Sequence, residues 1–132
     1  MDKYKIDGNP IPWKRAGRNG RFTYDPQLKE KMAYRNMLAS AEKTVSCSSK
    51  PLSLVYQFNM PIPKSWSRTR RLNAIGKPHT SKPDKDNLEK FINDTFNKIL
   101  WEDDAQIFTS TSEKIYAEKP STIFIVVEWE DE

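Results

Sequence analysis

Residues 82–106, KPDKDNLEKFINDTFNKILWEDDAQ, carry the clearest helical periodicity in the chain and constrain the fold most. At about 100° per residue, Leu88, Phe91, Ile92, Thr95, Phe96 and Ile99 share one face, so the spacing predicts a helix over 86–100 with that face buried. Asp86, Lys90 and Asp94 stack at i, i+4 and i+8 on the opposite face. Asp86 with Glu89 three residues on predicts a capping box, Asp standing in for the usual Ser or Thr. Capping needs one acid, yet four flank this helix: Asp84 and Asp86 ahead of it, Asp103 and Asp104 behind it.

The rest of the chain reads as α+β. YKIDG is an opening strand, followed by a Pro- and Gly-punctuated loop through Gly20 and a short strand holding Phe22 and Tyr24. Pro26 suits the first position of a helix with Asp25 as N-cap. In QLKEKMAYRNMLASAEK, the spacing of Leu28, Met32, Arg35/Asn36 and Ala39 marks an amphipathic face, and the Ser-rich VSCSSKP ends the helix. LSLVYQFNM, bounded by prolines 51 and 61, is a strand, and the basic stretch after it reads as a partly helical loop. QIFTSTSEKIYAE and STIFIVVEW are two further strands, expected to form an antiparallel pair joined at Lys119-Pro120. The expected architecture is one small domain over 1–132, a mixed sheet packed with two main helices. A chain of 132 residues supports one modest core. No apolar run approaches the roughly 20 residues of a membrane span, and MDKYKIDGNP has no apolar signal region. Cys47 is the single cysteine, which leaves no internal disulfide and makes the cytoplasm the expected compartment.

The formal net charge of +4 understates how far the charges are segregated. Lys64, Arg68, Arg70, Arg71, Lys77 and Lys82 occur between Pro61 and Lys82 with no acid among them. Lys14, Arg15, Arg18 and Arg21 form a second unopposed stretch in PIPWKRAGRNGRFTY. Such segregation points to a polyanionic partner, although taken alone it fits a solubilising loop equally well.

The acids refine this. In an extended segment residues i and i+2 face the same way, so Asp84 and Asp86 can converge, and a strand from Gln106 can run back beside the helix. Gathering three or four carboxylates without a cation is repulsive and raises their pKa values. Oxygen ligands with no cysteine cluster and one histidine suit a hard ion, Mg²⁺ with Mn²⁺ as substitute, rather than zinc. A calcium-loop reading of DKDNLE fails because its sixth position is Glu89 rather than Gly. A Mg²⁺ site beside a basic surface points to phosphodiester hydrolysis, with Lys90 holding the scissile phosphate or offsetting its developing charge. The same Lys90 is spaced to pair with Asp86 or Asp94, worth a few tenths of a kcal/mol. On the plainest alternative, Asp86 only caps the helix and Asp94 is only solvated.

PDKDNLEKFINDTFNKILWEDDAQI resembles the signature of the RusA-type Holliday-junction resolvases: D-x-D-N-x-x-K, an apolar helix ending in D, then W-x-D-D-x-Q. The matching residues are Asp84, Asp86, Asn87, Lys90, Asp94, Trp101, Asp103, Asp104 and Gln106. The resemblance implies a small homodimeric endonuclease that binds four-way DNA junctions and cuts two opposed strands with Mg²⁺ or Mn²⁺, in recombination and repair. By position it implies Asp84, Asp86 and Asp104 as metal-binding catalytic acids, Asp103 as a supporting ligand and Lys90 as the catalytic lysine. It also implies a family often found in prophages.

A junction with two equivalent strands matches a twofold dimer with two equivalent sites. Ile123 to Val127 can form a dimer seam or, as the simpler reading, a strand buried on both faces within one subunit. The basic residues of both stretches are expected to bind DNA phosphates, and Trp13, Phe22 and Trp66 either stack at the crossover or pack in the core. His79 reads as a surface residue, Trp101 as core. Two rivals remain: a metal-dependent nuclease acting on flaps, forks or plain duplex, and a non-catalytic DNA-binding protein.

Overall fold

The computed structural model describes residues 1–39 and 46–131. The chain runs β1 (Asp2–Asp7), β2 (Gly17–Asn19), β3 (Phe22–Tyr24), α1 (Leu28–Ala39), β4 (Leu52–Pro61), α2 (Arg68–Ala74), α3 (Lys85–Thr95), β5 (Ile107–Ala117) and β6 (Ser121–Glu128). Four strands make a mixed sheet in the order β1-β6-β4-β5, and β2 and β3 form a separate hairpin. The expected α+β class with a mixed sheet is what the structure has, with α2 as a third helix.

Strand alternation decides which face is buried. Tyr4 and Ile6 of β1, Leu54, Tyr56 and Phe58 of β4, and Phe124 and Val126 of β6 all turn to one side. They meet Leu88, Phe91, Ile92 and Phe96 of α3 and Tyr34 and Leu38 of α1 in one core cluster. Tyr34 packs edge-on to Phe91 at 5.2 Å, and Phe96 lies 5.3 Å from Phe124. Trp101 is fully buried, as its sequence context predicts. In β6 Phe124 and Val126 are buried while Ile123, Ile125 and Val127 are half-buried, so the strand is not buried on both faces. No helix among the described residues is long and apolar enough to cross a membrane.

Four expectations are corrected. The helix predicted over 86–100 ends at Thr95, with Phe96 donating its N–H to the Ile92 carbonyl. Beyond it Lys98 adopts a left-handed conformation, φ 71°, and donates its N–H to the Trp101 carbonyl at 2.7 Å. The N-cap is Asp84 rather than Asp86, and Glu89 accepts from the Ser112 hydroxyl instead of closing a capping box. In α1 the buried residues are Lys31, Tyr34 and Leu38, while Leu28 and Met32 stay half-exposed; the buried ion pairs of Lys31, described below, place a charged residue where periodicity expects an apolar one. The predicted end of that helix, residues 40–43, lies outside the described residues. Finally, β5 and β6 do not pair with each other. β4 lies between them, parallel to β5 and antiparallel to β6.

Candidate active site

The strand β5 runs back along α3, as hydrogen bonds at three levels show. Asn97 Oδ1 accepts from the Asp104 N–H just before β5, Glu89 accepts from Ser112 midway, and Lys114 Nζ donates to the Pro83 carbonyl near the helix start. The four signature aspartates therefore fall into two pairs, one at each end of α3.

Asp84 opens the helix with extended backbone, φ −69° and ψ 146°, but its side chain makes no capping hydrogen bond. Its carboxylate faces solvent, with the exposed Lys82 ammonium 3.2 Å away. Asp86, also exposed, accepts only the N–H of its neighbour Asn87 at 2.9 Å. Asn87 in turn anchors the N-terminal loop, because its carbonyl accepts the Trp13 N–H at 3.0 Å. Four residues on from Asp86, Lys90 pairs with neither predicted acid. Its Nζ lies 3.7 Å from the centre of the Trp13 ring, a cation–π contact that holds the ammonium at the surface.

The other pair is held differently. Asp103 caps a 3-10 turn over Asp104–Gln106, accepting from Ala105 N–H at 2.8 Å, while Gln106 Oε1 accepts from the Asp103 N–H at 2.8 Å. Gln106 Nε2 also donates to the Ser48 and Lys50 carbonyls, so this side chain fastens the turn to the segment before β4 rather than orienting a carboxylate. The Ala105 N–H holds the Asp103 carboxyl below its usual range, aided by a hydrogen bond with Asp104 and the charge of Lys98. Asp104 moves the other way: desolvation first, then the hydrogen bond and charge of Asp103 and the charge of Asp94, push it up.

Sequence reasoning missed several neighbours. The Tyr56 hydroxyl donates to Asn93 Oδ1 at 2.5 Å; burial raises its pKa, with the charges of Glu89 and Asp104 adding to the effect. Glu89, Asn93 and Asn97 thus line the α3 side facing β4 and β5, between the two aspartate pairs. Glu89 was read only as a capping partner, and the sole sequence signal of Asn93 and Asn97 was their spacing of four residues from one another along the predicted helix. Lys31, not singled out by the sequence, is buried between Asp25 and Asp94, 2.7 and 2.6 Å away. Burial acts to lower its pKa, but the hydrogen bonds and charges of both acids outweigh it and hold the ammonium above the ordinary lysine value.

The predicted phosphate-binding residues Lys14, Arg15, Arg18, Arg21, Lys64, Arg68, Arg70, Arg71, Lys77 and Lys82 are all exposed. Ser67 caps α2, accepting from Arg70 N–H at 3.2 Å. Arg70 stacks 3.7 Å over Trp66, which packs on Tyr116, and His79 packs on the same tyrosine. Lys64, Arg68 and Arg71 line a groove of about 570 Å³. Trp66 and Trp13 are thus half-buried supports for cations, whereas Phe22, 78% exposed, stands out beside the tight β2–β3 turn, where Gly20 takes φ 64°.

Carboxylates free of capping duty beside an unopposed cationic surface are the equipment of a phosphodiester hydrolase. Residues 7–128 match the family model described as Endodeoxyribonuclease RusA, and the chain belongs to that family. It is therefore an endodeoxyribonuclease, a hydrolase of DNA phosphodiester bonds, in a family that resolves Holliday junctions and generally depends on a divalent metal. The chain is also 28% identical over 128 residues to "Uncharacterized protein YqaN" of Bacillus subtilis (strain 168), with 89% of each chain covered.

Proposed function

We propose that this chain, as one domain over residues 1–132, acts as a homodimer that resolves four-way DNA junctions by paired symmetric nicks. The reading assigns Asp84, Asp86, Asp103 and Asp104 to a Mg²⁺ site that also accepts Mn²⁺, and Lys90 to the scissile phosphate. One observation carries it: Asp84 and Asp86 open α3 without capping it and stand exposed beside Lys90. Acids that the fold does not use are available to a ligand.

The donor set fits a hard divalent ion, since it consists of carboxylate oxygens alone. Bound there, such an ion supplies Lewis-acid polarisation of the phosphate and a water of lowered pKa. Among the described residues, however, no three Asp, Glu, His or Cys side chains gather closely enough to hold an ion. The rise from Asp86 to Asp94, beside which Asp104 is held, is about 12 Å. The missing ligands are therefore assigned to the second subunit, whose Asp103 and Asp104 would complete the site opened by Asp84 and Asp86. Lys90, braced on Trp13, holds the phosphate where charge develops. The cationic residues of α2 and the N-terminal loop neutralise flanking phosphates, and Phe22 is placed to stack on a base at the crossover.

The test compares a synthetic four-way junction, a fork and linear duplex, each with and without Mg²⁺. Paired nicks at symmetric positions, seen on the junction and only with metal, are expected. Metal-independent nicking, or equal cutting of linear duplex, overturns the reading.

A further inference from the structure

Two exposed features stand at opposite ends of the sheet, and their chemistry is complementary. At the end where Pro61 of β4 pairs with Ala117 of β5, the groove of about 570 Å³ presents Leu72, 59% exposed, and Ile75 beside Lys64, Arg68 and Arg71. Glu118 is the one acid among its described lining residues. At the other end, where Leu52 pairs with Glu128, Phe108 and Trp129 stand edge to face 5.7 Å apart, 56% and 54% exposed. The exposed acids Glu128, Glu130 and Asp131 accompany this aromatic knob, with Lys50 as a single neighbouring cation. The knob is preformed. Trp129 donates its backbone N–H to the Pro51 carbonyl and its indole N–H to Asp131, both at 2.9 Å, and Lys50 holds Glu130 at 2.8 Å. Each feature leaves apolar side chains in water beside an excess of one charge, positive in the groove and negative at the knob. The ten residues of β4 separate them by about 30 Å, so a knob cannot reach the groove of its own subunit.

We infer that the Phe108–Trp129 knob of one subunit docks in the α2 groove of a second copy of this chain. The inference rests on the homodimer proposed above and deepens it by naming surfaces that join the subunits. Continuity with the proposed metal site fixes the pairing. The Asp103–Gln106 turn belongs to the knob end, because Gln106 donates to the Ser48 and Lys50 carbonyls. The groove belongs to the Asp84 end. There Lys114 ties the Pro83 carbonyl to β5, and two residues on the Tyr116 carbonyl accepts the Gly76 N–H just past α2. A second subunit that brings Asp103 and Asp104 to Asp84 and Asp86 therefore brings its knob to the groove. A twofold axis repeats the contact, giving two knobs in two grooves.

The groove suits protein better than nucleic acid. Duplex phosphates would use its cations but leave Leu72 and Ile75 in water, and its described lining residues include no ring on which a base could stack. Aromatic side chains set against aliphatic ones, with opposite charges at the rim, match the anatomy of a protein interface. Arg71 retains donors for a phosphate, since a guanidinium has five.

The experiment measures the monomer–dimer dissociation constant by sedimentation, in Mg²⁺ and without DNA. It compares wild type, a knob reversal (Glu130→Lys with Asp131→Lys), a groove reversal (Lys64→Glu with Arg68→Glu) and all four changes together. These side chains are exposed, so the folded monomer should melt as wild type does. Each reversal should weaken the dimer roughly tenfold or more, and the combination should return to within about threefold of wild type. Wild-type dissociation constants in both reversals overturn the inference and leave the dimeric resolvase standing. Weakening without recovery in the combination overturns it too, because the two patches then do not meet. A groove reversal that loses junction binding with the dimer intact overturns it by assigning these cations to DNA. A wild type that is monomeric at every concentration overturns the dimer reading together with the inference.

Discussion

The two ends of α3 hold the same residue type under opposite conditions. At the start, Asp84 and Asp86 stand exposed and make no bond that the helix needs. Past the far end, Asp103 is consumed in a capping box, and Asp104 is desolvated and repelled by the charges of Asp103 and Asp94. One pair is free of the fold; in the other, the cap favours the Asp103 charge while Asp104 is held at a cost in electrostatic energy. Acids kept in such unfavourable surroundings are a common mark of a functional site.

The sharpest way to break this comparison is to neutralise each end. Asp86→Asn and Asp104→Asn should each lower junction cutting by about a thousandfold or more, with junction binding retained. Their stabilities should diverge. Asp104 has a raised pKa, so the fold disfavours its charged form at neutral pH. Asp104→Asn should therefore raise the melting temperature at pH 7, and the gain should vanish on acidifying below the ordinary carboxylate range, where Asp104 is protonated in both states. Asp86→Asn should leave the melting curve nearly unmoved. Equal melting temperatures for Asp104→Asn and wild type at pH 7 would remove the contrast.

Lys31→Met tests what holds the side of α3 between the ends. It strands two acids, but both reach water, so denaturant melts should show a loss of about 2 kcal/mol rather than the roughly 3–5 of a fully buried pair. In the wild type this contribution is complete below the ordinary lysine pKa and is lost as pH rises past the elevated one.

Smaller again, Arg71→Ala should weaken junction binding severalfold and make its salt slope shallower by about 0.9 for each phosphate left without a cation. The smallest effect belongs to the turn that ends α3. Lys98→Gly relieves a left-handed lysine and should stabilise by about 0.5–1 kcal/mol in the same melts.

The elements themselves were legible because period and punctuation are local. Leu88, Phe91, Ile92, Thr95 and Phe96 are buried as the 3.6-residue repeat requires, and β4 runs between its two prolines. The aspartates, Lys90 and the basic stretches were equally visible, since charge segregation and motif spacing are properties of the string. Strand partners were not. Two strands joined by a short link read as a hairpin, but β4 was inserted between β5 and β6 because its apolar side chains bury more completely at the centre of the sheet than at an edge. Lys31 was hidden for the same reason: its partners Asp25 and Asp94 come from elements distant in sequence, and only their convergence makes a buried ammonium tolerable.

What the residue order alone determined is therefore the inventory: which helix, which acids, which cations and which family. Tertiary structure decided the distribution, separating the acids by the length of α3, assigning Lys90 to Trp13 rather than to an acid, and closing Asp25 and Asp94 around Lys31. The physical reason is range. Helical period and capping act over a few residues and are written in the order of the chain, whereas desolvation, charge coupling and strand pairing depend on groups brought together from opposite ends of it.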